Sequence, residues 1–112
     1  MIKNSTRNRI LAKNVKICKN IFSKTIGLMF SLKPESLIFI FREEKIIPLH
    51  MLFVFYPIDV LFLDKNKKVV EIKENFKPFS FHATKKKAMY VIELPKGLII
   101  KSGTKLGDRI SF

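Results

Sequence analysis

The stretch LHMLFVFYPIDVLFLD, residues 49–64, decides how this chain folds. It is the most hydrophobic segment of the sequence, and Pro57 divides it into two pieces that each have the length of a β-strand. Because proline cannot donate a hydrogen bond to a sheet ladder, it belongs at the corner between the pieces. We therefore predict a buried hairpin of two strands, about 49–54 and 58–63, in which His50 and Asp59 are cross-strand neighbours or one pair apart.

The hairpin raises the question of what its two polar side chains do. A buried carboxylate needs hydrogen bonds or a cation. We expect Asp59 to accept a hydrogen bond from His50 or from backbone amides near Pro57, which would fix the hairpin register. A ligand-binding role for Asp59 is the alternative. A metal site with His82 is weakly supported, since the spacing of the two histidines matches no metal signature.

No catalytic motif accompanies these residues. The sequence has no nucleophile elbow, no HExxH and no phosphate-binding loop. Its single cysteine, Cys18, excludes an intramolecular disulfide and a multi-thiolate metal site within one chain. We therefore predict no catalytic residues, no metal and no cofactor.

The hydrophobic stretch does not predict a membrane span. Residues 46–62 fall short of the ~20 residues that a spanning helix needs. Pro48 and Pro57 interrupt them, and Asp59 would be costly in lipid. The N-terminus has no apolar core or cleavage site of a secretory signal. We expect a cytoplasmic protein without a membrane span.

The remaining segments predict a single compact α+β domain that is mainly β. A chain of 112 residues has the length of one domain. We expect a mostly antiparallel sheet curled into a partial barrel, with one or two short helices. Residues 1–8 are interpreted as a flexible basic N-terminal tail and residues 9–112 as the domain. The segments are strands in RILAKNVKIC (9–18), SLIFIF (36–41), VVEIKE (69–74), AMYVIELP (88–95) and LGDRISF (106–112), helices in NIFSKTIGLMF (20–30) and GLIIKSG (97–103), a charged turn in FREEKI (41–46) and an irregular loop over 75–88.

The net charge of +13 allows two interpretations. On the first interpretation, a positive charge of this size attracts nucleic acid or anionic lipid. Lysine outnumbers arginine, however, and the densest runs, DKNKK (64–68) and TKKK (84–87), fall where turns are expected, as on a solvated surface. If the charge is functional, exposed aromatics such as Tyr56, Phe79 and Phe81 would stack on single-stranded nucleic acid.

Four segments in order resemble the signature blocks of an uncharacterised family, domain of unknown function 192, also called uncharacterised protein family 0127. They are GLMF (27–30), HMLFVFYPIDVLFLD (50–64), YVIELPKG (90–97) and GTKLGDRI (103–110). The resemblance runs from about residue 9 and implies a small, largely β domain of the short archaeal type, with no established activity. The matching residues are Gly27, Leu28, Met29, Met51, Pro57, Asp59, Glu93, Leu94, Pro95, Gly97, Gly107 and Asp108.

One block departs from the family pattern. Bacterial relatives usually read Trp-Met-Lys-Asn-Thr where this chain has residues 50–54, HMLFV. The polar Lys-Asn-Thr surface of those relatives is therefore absent here.

Three functions remain open. The leading one is a non-catalytic binding module whose apolar pocket or groove lies near Asp59 and is closed by the 75–88 loop. The second is polyanion or nucleic-acid binding through the lysines, and the third is a hydrolase or lyase that uses Asp59, Glu93 and His50. The candidate ligand-binding residues are Asp59, Glu93, His50, Met51 and Met29, and the motif residues with a structural role are Gly27, Pro57, Pro95, Gly97, Gly107 and Asp108.

Overall fold

A computed structural model describes residues 1–18, 36–50 and 56–112. These residues form one compact, mostly β domain with a short helix, which confirms the main part of the predicted fold class. The elements are β1 (Ile2–Asn4), β2 (Arg9–Ala12), β3 (Lys16–Cys18), β4 (Leu37–Lys45), β5 (Pro48–His50), β6 (Ile58–Leu63), β7 (Val69–Phe76), β8 (Phe81–Ala83), β9 (Ala88–Pro95), α1 (Leu98–Ser102) and β10 (Ile110–Ser111).

The main sheet has the strand order β3-β4-β9-β6-β7. All of its pairs are antiparallel except β3 with β4. Two smaller sheets have the orders β10-β1-β2 and β5-β8. Since β3 and β7 are the outermost strands of the described sheet and do not pair with each other, the sheet is not closed, and the curling into a partial barrel stays a prediction.

Strand β6 explains why residues 58–63 are so hydrophobic. All six residues are buried, because the strand has a neighbour on each side and a hydrophobic cluster on each face. Val60 and Phe62 belong to one cluster, which we call the first face. Leu61 and Leu63 belong to the other, the second face, which also includes Ile99 of α1. A strand covered on both faces is apolar at nearly every position.

The predicted hairpin is wrong in the part that the structure describes. Strand β5 pairs with β8, where Leu49 lies opposite His82. Strand β6 pairs instead with β7 and β9. Because β6 is an inner strand with a partner on both edges, it has no edge left for β5.

Three boundaries also differ from the sequence prediction. FREEKI is not a turn over residues 41–45, since β4 continues to Lys45, which pairs with Ala88 after an irregularity in register. The 75–88 loop contains β8, which is fixed by its pairing with β5. Residues 2–4, within the segment interpreted as a tail, form β1, which lies between β2 and β10 with Ile2 and Asn4 fully buried.

Several predictions fall outside the described residues. The first helix, 20–30, is one of them, together with Gly27, Met29 and Met51. The second predicted helix is confirmed as α1 and ends at Gly103, which has a left-handed conformation. In the described ranges, no helix is long and apolar enough to cross a membrane.

Candidate functional site

Asp59 is the polar centre of the second face. Its side chain is 1% exposed, and three backbone amides donate hydrogen bonds to its carboxylate. The amide of Asn75 donates to Oδ1 at 3.0 Å, and those of Gly97 and Ile99 donate to Oδ2 at 2.9 and 3.2 Å. The predicted acceptor role of Asp59 is thus found, but its donors come from β7 and α1 rather than from residues near Pro57.

The two donors at Gly97 and Ile99 belong to the start of α1. The first amides of a helix have no partner within the helix, and a nearby side-chain oxygen usually caps them. Gly97 precedes the helix with φ of 96° and has no side chain to offer. Asp59 therefore provides the cap from an adjacent strand, which explains why a carboxylate stands in an otherwise apolar strand.

An open groove of about 1000 Å³ lies between the two elements that Asp59 joins. Residues 70–74 of β7 form one wall, and residues 99, 100 and 103–106 form the other. Two apolar side chains of the α1 wall are strongly exposed, Ile100 at 74% and Leu106 at 64%. Asp59 does not line this groove but holds both walls, through Asn75 at the end of β7 and through the start of α1.

Glu93 lies on the other face of the sheet from Asp59. It pairs with Val60 and Leu37, which both belong to the first face, and directly opposed residues of paired strands share a face. Asp59 pairs with Leu94 of the second face. The structure therefore does not bring Asp59 and Glu93 together into one pocket or catalytic cleft.

The Glu93 side chain is chemically unusual. It is 8% exposed, and burial raises its pKa to about 8. Within the described ranges, no hydrogen bond or ion pair reaches its carboxyl group. Glu93 is therefore mostly protonated at neutral pH, because the surrounding apolar side chains disfavour the charged form.

Asp108 anchors a second polar network, between the N-terminal segment and the end of the chain. Its carboxylate accepts hydrogen bonds from Asn4 Nδ2 at 3.0 Å, from Arg7 and from the Lys105 amide at 3.0 Å. Burial acts to raise the pKa of Asp108, but these hydrogen bonds and the Arg7 charge outweigh it, and the pKa lies below its usual value. The predicted turn-stabilising role is found in the Lys105 bond, and the bonds from Asn4 and Arg7 extend it.

The side chains of His82 and Glu71 form a hydrogen-bonded pair that joins β8 to β7. The sequence analysis did not predict this pair. His82 Nε2 lies 2.7 Å from Glu71 Oε2, and Glu71 Oε1 accepts the Lys85 amide at 2.8 Å. The His82 ring packs near Phe62 and Phe76, with ring centroids 5.6 and 6.2 Å away. His82 thus belongs to the attachment of the 77–87 segment rather than to a site with Asp59.

The remaining candidate residues can be placed only in part. Pro95 pairs with Ile58, and the Gly107 amide donates to the Val69 carbonyl. His50 is in β5, but its side chain lies outside the described part of the structure, as do Met29 and Met51. Over the described ranges, no three His, Cys, Asp or Glu side chains form a group that could hold a metal ion. The groove walls were not recognised from the sequence, since Ile100 lies in a helix of five residues and Leu106 in a turn after it, and neither leaves a hydrophobic period.

Comparison with known proteins identifies the class. The sequence profile of domain of unknown function 192, described as uncharacterised ACR, matches residues 2–112. A UPF0127 protein of Pyrococcus furiosus is 34% identical over 111 residues, which cover 97% of this chain and 95% of that protein. The chain therefore belongs to this uncharacterised family, as the sequence blocks indicated.

Two solved structures share the fold. A protein of unknown function from Novosphingobium aromaticivorans has a TM-score of 0.89 at 21% identity and covers 99% of this chain and 83% of its own. A protein from Sinorhizobium meliloti described as a putative transcription regulator has a TM-score of 0.87 at 24% identity, with coverage of 98% and 88%. At these identities the similarity concerns the fold alone.

Proposed function

We infer that this protein is a non-catalytic binding module whose site is the groove between β7 and α1. The observation that carries this proposal is the groove itself, with exposed Ile100 and Leu106 on one wall. Binding sites are concave and mostly apolar with a few polar groups at their edge, and this groove has that composition. In this proposal the groove takes the place of the pocket that the sequence predicted beside Asp59. The described hydrogen bonds of Asp59 all come from backbone amides of the protein, so its carboxylate is occupied by the fold.

Asp59 supports binding at the groove without touching a ligand. Its carboxylate holds the end of β7 and the start of α1 at fixed positions. A binding site whose walls are held in place loses less conformational entropy when it is occupied. Asp59 is therefore a positioning residue in this proposal.

The proposal is tested by NMR with a panel of small aliphatic and aromatic fragments added to the ¹⁵N-labelled protein. We expect fragments of some chemistry to shift the amide signals of residues 70–74 and 99–106 in preference to others. The double variant Ile100→Glu/Leu106→Glu should abolish these shifts. A matched control, Ile17→Glu/Ile46→Glu, changes two exposed isoleucines that do not line the groove and should keep them. No fragment shift at the groove, or equal loss in both variants, would contradict the proposal.

A second candidate function is binding of single-stranded nucleic acid at the 77–87 segment. The observation in its favour is that Phe79 and Phe81 are exposed in a segment that also carries four exposed lysines, at positions 77, 85, 86 and 87. Aromatic side chains interleaved with lysines are typical of surfaces that stack on bases and contact phosphates. The net charge of +13 would add attraction.

Fluorescence anisotropy with labelled oligo-dT and oligo-U tests this second function. We expect binding that weakens steeply with salt, and a loss of about tenfold in affinity for Phe79→Ala/Phe81→Ala, since each stacked base contributes about 1–3 kcal/mol. Binding that is absent at low salt, or unchanged in this variant, would exclude the 77–87 segment as a nucleic-acid site.

A further inference from the structure

Strand β7 already accepts a strand-like partner from its own chain at its first residues. The Val69 amide donates to the Asp108 carbonyl at 2.9 Å, and the Val69 carbonyl accepts from the Gly107 amide at 2.8 Å. The Ile110 amide donates to the Lys67 carbonyl at 2.9 Å. This pairing ends at the turn containing Gly107, which has φ of 87°. Among the residues that the structure describes, the outer edge of β7 is thus occupied only at its beginning.

Beyond Val69 the outer edge of β7 is open in the described structure. Residues 70–76 have backbone hydrogen bonds to β6, and none joins them to another strand within the described ranges. An open edge presents backbone N–H and C=O groups on which another extended chain can pair. Residues 70–74 are also one wall of the groove, so its wall offers the backbone groups that an extended peptide requires.

The opposite wall provides places for side chains. Ile100 and Leu106 are exposed there, while Ile72 and Ile99 are more deeply buried in the second face. In a strand added to a sheet, alternate side chains point to the same face and enter the pockets along it. A segment with apolar residues at alternate positions would therefore match the groove.

The charge favours an acidic partner over a second copy of this chain. Lys73 and Lys105 line the groove, and Lys101 lies in the last turn of α1. Of the two acids in the β7 wall, Glu71 is already engaged by His82 and the Lys85 amide, so that Glu74 stands against the three lysines. Because each chain carries a net charge of +13, two copies repel each other, whereas an acidic segment is attracted.

We propose that the groove binds an extended acidic segment of another protein, with apolar residues at alternate positions, as an added strand on the open edge of β7. This inference rests on the proposed binding function and names the class of partner. The added strand continues the line of pairing that residues 107–110 begin.

The test uses a synthetic peptide of eight residues in which Val and Ile alternate with Glu and Asp. It is compared with the same peptide N-methylated at alternate backbone amides and with a version that has Lys in place of the acids. We expect the acidic peptide to slow hydrogen exchange of amides in residues 70–74, the β7 wall of the groove. N-methylation should weaken binding at least about tenfold, because each lost backbone hydrogen bond removes about 1 kcal/mol. The lysine version should not bind.

Charge variants locate the site. Lys105→Glu should lower the affinity for the acidic peptide by about threefold to tenfold at low salt, as expected for an exposed charge beside the ligand. Lys16→Glu makes the same charge change on β3, the other edge of the main sheet, and should have little effect. Equal effects of the two variants would overturn the proposal.

The other outcomes distinguish a failure of strand addition from a failure of the proposed binding function. Equal binding of the N-methylated or the lysine peptide would overturn strand addition by an acidic segment. Strand addition by an acidic segment would also be overturned if oligo-dT, but not the peptide, changed the amide signals of the groove residues. If fragments still occupy the groove when the peptide does not bind, only the inference fails. If neither fragments nor peptide bind, the proposed function fails as well.

Discussion

The Oδ2 oxygen of Asp59 accepts the backbone amide of Gly97 at 2.9 Å, although the two residues are 38 positions apart in the chain. This bond joins β6, an inner strand of the main sheet, to the N-terminal end of α1. Both residues belong to the family motifs that the sequence displays, Pro-x-Asp and Glu-Leu-Pro-x-Gly. Their place in the motifs is explained by a structural contact: one carboxylate satisfies amides at the end of β7 and at the start of α1.

Replacing Asp59 by Ala should lower the free energy of unfolding by about 2 to 4 kcal/mol, since three backbone donors lose their acceptor in a buried site. Asp59→Asn should also destabilise, because its NH₂ group places a donor against a backbone N–H. Urea unfolding measures the stability, and faster amide exchange at Asn75, Gly97 and Ile99 would locate the effect.

Asp64 is a suitable control for Asp59. Its carboxylate also accepts backbone amides, those of Asn66 and Lys68, but in an exposed turn. Asp64→Asn should cost less than about 1 kcal/mol, as surface substitutions usually do. A loss for Asp59→Ala as small as that for Asp64→Asn would contradict the bridging role.

Glu93 should make the protein less stable as the pH rises. Its pKa in the folded state is about 8, above the ordinary value of 4.5, so the unfolded state loses the proton first. The contribution of Glu93 to the free energy of unfolding is then fully present below pH 4.5. Between pH 4.5 and about pH 8 the free energy of unfolding falls by roughly 1 kcal/mol per pH unit. Glu93→Gln should remove this decline. Urea unfolding between pH 5 and pH 8 measures it, and the variant should exceed the parent protein in stability at pH 8.

Glu43→Gln is the matched control for this pH series, because Glu43 is exposed in β4. It should leave the slope of stability against pH unchanged. A parent protein whose stability is flat from pH 5 to pH 8, or a slope that persists in Glu93→Gln, would show that Glu93 ionises normally in the folded state.

Asp108 should have the opposite pH dependence. Since the pKa of its carboxyl is lowered in the folded state, it contributes stability above the ordinary value of 3.8, and this contribution is lost as the pH falls through the folded value. Asp108→Asn should cost about 1 to 3 kcal/mol at pH 7. The difference in the free energy of unfolding between this variant and the parent protein, measured by urea unfolding, should be smaller at pH 3 than at pH 7. An equal difference at both pH values would argue against an ionised Asp108.

Glu71→Gln should loosen the 77–87 segment locally. Glu71 holds both His82 and the Lys85 amide, so its neutralisation weakens two hydrogen bonds. We expect amide exchange at Lys85 to accelerate by about tenfold, the effect of roughly 1.4 kcal/mol. The Thr84 amide provides an internal control, because it donates to the Ile47 carbonyl and not to Glu71. Equal acceleration at Thr84 and Lys85 would indicate general destabilisation.

The sequence predicts strand content better than strand partners. Segments such as VVEIKE and AMYVIELP have a local pattern that suffices to identify β7 and β9. The partners of β6 depend on the whole sheet: a strand apolar on both faces is an inner strand, and it pairs with β9 more than 25 positions away rather than with the adjacent β5. Pro57 between two apolar pieces of strand length favoured the local hairpin, and burial on both faces of β6 is what that local pattern left out.

The role of Asp59 was predictable as a class of interaction but not in its partners. A carboxylate in an apolar strand requires donors, and residue chemistry indicates that much. Which amides supply them depends on how β7 and α1 approach β6. The separation of Asp59 and Glu93 onto opposite faces follows from register, since Asp59 pairs with Leu94 and Val60 pairs with Glu93. A shift of one residue would have placed both on one face.

The pairing of β1 with β10 has a consequence for biosynthesis. Lys3 lies opposite Ser111, and the Asn4 side chain donates a hydrogen bond to Asp108, so segments about 100 positions apart in the chain pack against each other. Until residues 104–111 are available, Ile2 and Asn4 lack the neighbours that bury them. Because synthesis runs from the N-terminus, this small sheet is completed only after β10 has left the ribosome, and contacts of such long sequence separation are slow to form.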